Sequence, residues 1–167
     1  AEARENDDRR ALASDLATVA FAAAIVAFLA WFVFAYRNLP ALGATGLRYR
    51  WGWALGAWFV PFLNLWRPKQ VANDLWRASD PELRADLGTG WQGKPVPAFL
   101  RAWWILWVAS LFVPEYGNSV YLANADTVFL RDADYVYIGG CVLDAAAAVL
   151  AILLVVRITG RQAARQQ

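Results

Sequence analysis

Residues 51–79 read WGWALGAWFVPFLNLWRPKQVANDLWRAS, an aromatic apolar run that breaks at Pro61, closes on Trp66 and turns into a basic amphipathic stretch. The sixteen residues from Trp51 to Trp66 carry no formal charge. As a helix they would cover only about 24 Å of a hydrocarbon layer roughly 30 Å thick. Pro61 removes a backbone donor and Asn64 adds an amide, polar groups that hydrocarbon cannot satisfy and neighbouring protein must. The run therefore predicts a short or re-entrant membrane segment. Trp51, Trp53, Trp58 and Trp66 stand at or near its ends, where amphipathic rings settle at headgroup level. Gly52 and Gly56 form a small-xxx-small pair that would let another helix come close. After Trp66, residues 67–79 place Val71, Ala72, Leu75, Trp76 and Ser79 on one face, with Pro68 in the first turn and Arg67, Lys69 and Arg77 elsewhere. Such a helix lies in the interface of an anionic leaflet or caps the bundle.

Outward from this stretch, the chain has 167 residues, 59% of them hydrophobic and 15% aromatic, a share well above that of soluble domains. Residues 1–15 mix both charges and read as a polar lead-in. Residues 16–36, LATVAFAAAIVAFLAWFVFAY, pass without a charge for twenty-one positions and predict a membrane-crossing helix. Residues 37–50 hold Pro40, Gly43 and Gly46 among three arginines and predict a basic surface turn. Ser79, Asp80, Pro81 and Glu82 have the layout of a helix start, with Gly88 as its stop, inside a loop over 80–95. Residues 96–113 predict another crossing, with Arg101 near its start and Trp103, Trp104 and Trp107 as an aromatic seam against the first span. Residues 135–156 predict a last crossing, interrupted by Asp144, and 157–167 form a basic tail.

The expected fold is all-α, an integral membrane helical bundle with three or four transmembrane helices, one short or re-entrant segment and an interfacial amphipathic helix. The region 67–95 and the tail are basic and 115–134 is acidic, which places the first two and the C-terminus in the cytoplasm. That is the layout of a multi-pass plasma-membrane protein.

The chain has one cysteine, Cys141, expected as a packing residue, and neither His nor Met. With these counts it cannot by itself build a haem, iron–sulfur or ordinary zinc site, and it lacks the commonest general base. No phosphate-binding loop, nucleophile elbow or cysteine pair is present, so no cofactor and no enzymatic activity are expected. Basic residues scatter near membrane boundaries, against a nucleic-acid role. The expected partners are membrane lipids and a protein partner or second copy.

The run Gly52, Trp53, Ala54, Gly56, Trp58, Phe59, Pro61, Asn64, Leu65, Trp66, Pro68 and Gln70, with Trp76, resembles the signature of a bacterial membrane family known as domain of unknown function 4328. The resemblance extends to the pair Trp103 and Trp104 and to a tail carrying Val156, Arg157, Ile158, Thr159, Arg161 and Gln162. It covers about residues 15–165. It implies a membrane helical bundle, no established activity, and a further hydrophobic helix upstream of the first one here.

Asp144 is the candidate site residue, because a carboxylate near the bilayer centre costs about 2.5 to 3.5 kcal/mol on insertion scales. It shares a face with Gly140, Ala148 and Ala151 and is expected to point into a packed interface. Arg101 lies roughly 10 Å shallower at 1.5 Å per residue, so the expected partners are the Trp107 indole and the Asn64 amide. Together these would form an intramembrane polar latch in an accessory subunit, sensor or interaction module. The competing reading is a small transporter or channel whose polar path joins Asp144 to the broken segment 51–66. Gly52, Trp53, Gly56, Trp58, Pro61, Trp66, Arg101 and Gly140 are the expected packing or interface residues.

Overall fold

No proline or glycine interrupts residues 2–38, and α1 accordingly runs unbroken over Glu2–Asn38 in the computed structural model. The structure describes residues 2–83, 88–123 and 127–166, with side chains at 6–83, 88–113 and 135–166. Pro40 ends α1, since it has no N–H to continue the helical ladder, and Gly43 at φ 83° closes the turn with its N–H on Pro40 O. The remaining helices are α2 (Gly52–Gly56), α3 (Arg67–Ala78), α4 (Ala98–Ala123) and α5 (Thr127–Ala164), and no strand occurs among the described residues.

Two helices are long and apolar enough to cross a membrane, over Asn6–Arg37 and Tyr135–Ala164, while the apolar part of α4, Ala98–Val113, is shorter than a full span. Length and composition thus support two of the expected three or four crossings. α4 continues through Pro114 to Ala123, beyond the boundary expected at 113. The short helix expected to end at Gly88 falls largely on residues 84–87, outside the described set.

Residues 51–66 form no continuous helix. α2 spans five residues, turns follow, and a 3-10 turn covers Leu63–Leu65. Phe62 takes φ 62°, a left-handed conformation costly for an aromatic residue, one residue after Pro61. The Trp104 indole N–H donates to Leu65 O at 3.1 Å, supplying a donor to a carbonyl that no regular helix uses. The helix contact expected at Gly52 and Gly56 is absent: a Cβ on Gly52 would meet nothing within 4 Å, and one on Gly56 only Trp53 of the same helix. Ala54 and Ala57 are the buried positions of this segment.

The core gathers at one end of the bundle, where the C-terminal part of α1, the start of α4 and the last third of α5 meet α3. Phe32, Tyr36, Leu39, Val71, Leu75, Leu100, Trp103, Leu154 and Ile158 are buried there. Trp58, expected near a headgroup level, enters an aromatic cluster, 5.2 Å from Trp107, 6.1 Å from Trp104 and 5.8 Å from Phe28 between ring centroids. Such tilted and edge-to-face pairs add about 0.5–1.5 kcal/mol each beyond burial.

Val71, Ala72, Leu75 and Ala78 have no accessible surface, so the apolar face of α3 is turned onto the bundle and not onto lipid. Of the two readings of this stretch, a helix in the membrane interface or a cap on the bundle, these contacts are those of the cap. α3 caps the bundle, because protein covers its apolar face. The tail fastens this cap. Gln162 donates to Ala35 O at 3.0 Å and Ser79 Oγ at 3.1 Å, and Arg165 donates to Ala78 O and Leu42 O, both at 2.6 Å. Arg161 pairs with Asp80 at 3.4 Å and lies over the Trp76 ring.

Candidate functional site

On α3 the buried positions 71, 75 and 78 define one stripe, and Asp74 stands three residues after the first and four before the last. Its side chain is therefore drawn inside with them and is 1% exposed. Oδ2 has no hydrogen-bond partner. Arg48 Nε lies 3.9 Å from it, too far for a hydrogen bond. Burial pushes the carboxyl up to about 6, against the pull of Arg48, Arg77 and the Arg48 backbone N–H.

Asp74 faces a chamber of about 240 Å³ lined by Gly46, Arg48, Asp74, Arg77, Trp91 and Gln92. Two loops far apart in sequence build its walls. Thr45 N–H donates to Gly88 O at 3.0 Å, the Trp91 indole to Thr45 O at 2.9 Å, and Gln92 Nε2 to Gly46 O at 2.8 Å. Gly46 must be glycine, because its φ is +67° and a Cβ would lie 2.7 Å from Thr89 Cγ2. Arg77 is steered by a 2.7 Å bond from Nε to Lys94 O, which leaves its terminal nitrogens for other partners.

The flank of the chamber is cationic and aromatic. Arg67 stacks on Trp53 at 4.0 Å and Tyr49 at 5.3 Å, and the Tyr49 hydroxyl donates to Gln70 Oε1. The Tyr36 hydroxyl donates to Tyr49 O at 3.1 Å, tying the end of α1 to the same loop. Lys69 is held below the ordinary lysine range by burial and then by Arg101 and Arg77. Asp80 titrates low although burial opposes it, because the Glu82 N–H, Lys94 and Arg161 favour its charged form. No group of three potential metal ligands gathers among the described residues.

The latch expected from the sequence does not form. Asp144 is exposed and makes no hydrogen bond to Asn64 or Trp107 among the described residues. Trp107 packs on Trp58 and Trp104, and the Asn64 backbone N–H donates to Val60 O. The packed stripe of α5 instead follows Gly140, Ala147, Leu154 and Ile158. A Cβ on Gly140 would lie 3.3 Å from Val113 of α4. Asp144 misses cover because α1 joins α5 near the tail, through Trp31 to Thr159 and Gln162 to Ala35, while α1 residues 6–27 are exposed. Cys141, expected as a packing residue, is exposed on the same open side of α5. Arg101, Pro61 and Trp66 are exposed. Asp74 was the residue missed, and its signal was a lone acid in a basic helix at the spacing of the apolar face.

The sequence model of a family described as domain of unknown function, DUF4328, matches residues 1–160. The chain belongs to the DUF4328 family. No curated protein and no solved structure matches it. In this DUF4328 protein the conspicuous residues have structural work: Trp58, Trp103 and Trp104 build the aromatic cluster, Gln70 bonds Tyr49, and Arg161 and Gln162 bind the tail to α3 and α1.

Proposed function

We propose that this protein is a non-enzymatic interaction module of the plasma membrane, in which α1, α4 and α5 cross the bilayer and the α3 cap and C-terminus face the cytoplasm. The basic residues of 67–95 and the tail against the acidic 115–134 support that orientation. So does the meeting of the C-terminal end of α1, the start of α4 and the tail at one end of the bundle. The broken segment 51–66 then dips from the cytoplasmic side without crossing.

The observation that carries the reading is the outward Asp144 in the middle of an otherwise apolar stretch of α5. Facing lipid, a carboxylate there costs about 2.5 to 3.5 kcal/mol. A neighbouring membrane helix that offers a donor or cation at the same depth removes that cost. A second copy is the poorer occupant, since a two-fold contact centred on Asp144 brings two carboxylates together. The transporter reading has less behind it, because Asp144 is exposed and bonds neither Asn64 nor Trp107 among the described residues.

Cys141, the only cysteine and one turn before Asp144, is a native probe of this face. A thiol-directed cross-linker applied to membranes holding the full chain is expected to join it to a different membrane protein. Asp144→Leu should abolish the adduct and Asp144→Asn should keep it. A Cys141–Cys141 dimer, or no adduct in any variant, overturns the reading.

A further inference from the structure

Among the described residues, Asp74 is the only carboxyl with a buried oxygen that lacks a hydrogen-bond partner. The Arg48 backbone N–H holds the carboxyl from one side, and this second oxygen is left over, a buried acceptor that costs free energy while it stays unpaired. Asp74 also lines a formed space, and the other charged residues lining it are Arg48 and Arg77. One acceptor beside two cations is a complementary surface for a molecule that joins an anion to a nearby donor.

We propose that the chamber between the 43–50 loop, α3 and the 88–93 loop binds a phosphate ester that carries a hydrogen-bond donor close to its phosphorus, as ethanolamine and glycerol phosphoesters do. The phosphate sits on Arg48 and Arg77, and the ammonium or hydroxyl donates to Asp74 Oδ2. The 3.9 Å between Arg48 Nε and that oxygen places cation and acceptor as near each other as the two ends of such a ligand. Arg48 is half exposed and free to close on a phosphate, and Arg77 is already aimed by Lys94 O. The volume of about 240 Å³ falls just below the roughly 300 Å³ at which drug-sized sites begin, so it suits a headgroup and not an acyl chain. The same chemistry reaches the chamber from a membrane phospholipid or from a soluble phosphoester. It is separate from the Asp144 face, and either can fail without the other.

The test is native mass spectrometry of the full chain, purified in detergent and titrated with phospholipids carrying ethanolamine, glycerol or choline headgroups, and with soluble glycerophosphoethanolamine. The choline headgroup has a cation but no N–H or O–H to donate. The expected result is one bound ethanolamine or glycerol phospholipid per chain, preferred about tenfold or more over choline, a factor of ten being 1.4 kcal/mol. Asp74→Ala should erase the preference, and Arg48→Gln, at a half-exposed position where folding is safe, should weaken every phosphoester about tenfold. Binding of the soluble compound as tightly as the lipid would make the source soluble and keep the site. Equal affinity for choline and ethanolamine, a preference that survives Asp74→Ala, indifference to Arg48→Gln, or no binding of any probe overturns the proposal.

Discussion

Replacing Asp74 by Asn should make the ligand-free protein more stable at neutral pH, the reverse of what removing a charge beside two arginines would do at a surface. Burial raises the carboxyl from 3.8 to about 6 in the folded state. Between those values the folded protein holds a proton that the unfolded chain releases, so stability falls as pH rises through the window. Below 3.8 both states are protonated and there is no penalty; above about 6 the penalty is complete. Two units at about 1.36 kcal/mol each come to roughly 3 kcal/mol. The Asn amide brings N–H groups of its own into a site rich in donors, which returns about 1–2 kcal/mol. The net expected gain is about 1–2 kcal/mol at pH 7.5, shrinking to zero or reversing near pH 4. The assay is denaturant unfolding in phospholipid-free detergent, followed by tryptophan fluorescence, across pH 4 to 8 for wild type and variant. Asp80 contributes the opposite slope at lower pH, since its depressed carboxyl stabilises above its unfolded value and loses that as pH falls. That slope is common to both proteins and cancels in the difference. Parallel pH profiles, or a variant less stable at pH 7.5, would refute the buried-charge argument.

Gly46→Ala should destabilise by about 1–3 kcal/mol, because φ is +67° and the new Cβ lies 2.7 Å from Thr89 Cγ2. Gly52→Ala should be neutral or stabilising by up to about 1 kcal/mol, since nothing lies within 4 Å of its Cβ and α2 gains a better helix former. Thermal unfolding of the pair in one detergent separates the two glycines. Gln162→Leu should cost about 1–3 kcal/mol by leaving the Ser79 hydroxyl and Ala35 O short of a donor, and hydrogen exchange at the end of α1 and at the α3 cap should rise together. Trp104→Phe should cost about 1 kcal/mol through the lost bond to Leu65 O while keeping most ring contacts, read as faster proteolysis within 60–66.

The long helices were legible because their causes are local. Twenty-one uncharged residues over 16–36 and twenty-two positions with one charge over 135–156 fix helix and apolar environment whatever surrounds them. The break at 51–66 was legible for the same reason, as Pro61 and shortness act within the segment. Most of the buried stripe of α3 was visible in the spacing of Val71, Ala72, Leu75 and Ser79, though not the surface that covers it. What covers a face depends on where distant elements lie, and there the tertiary structure alone decided. It covered the apolar face of α3 with protein, and it brought Arg48 and Gln92, on loops either side in sequence, to one chamber with Asp74. It also left Asp144 outside, because α1 meets α5 at the tail and not at mid-helix. Periodicity states that a residue shares a side with its neighbours at three and four positions, whereas burial requires a second element at that height, and the position of that element is written nowhere near the residue it covers.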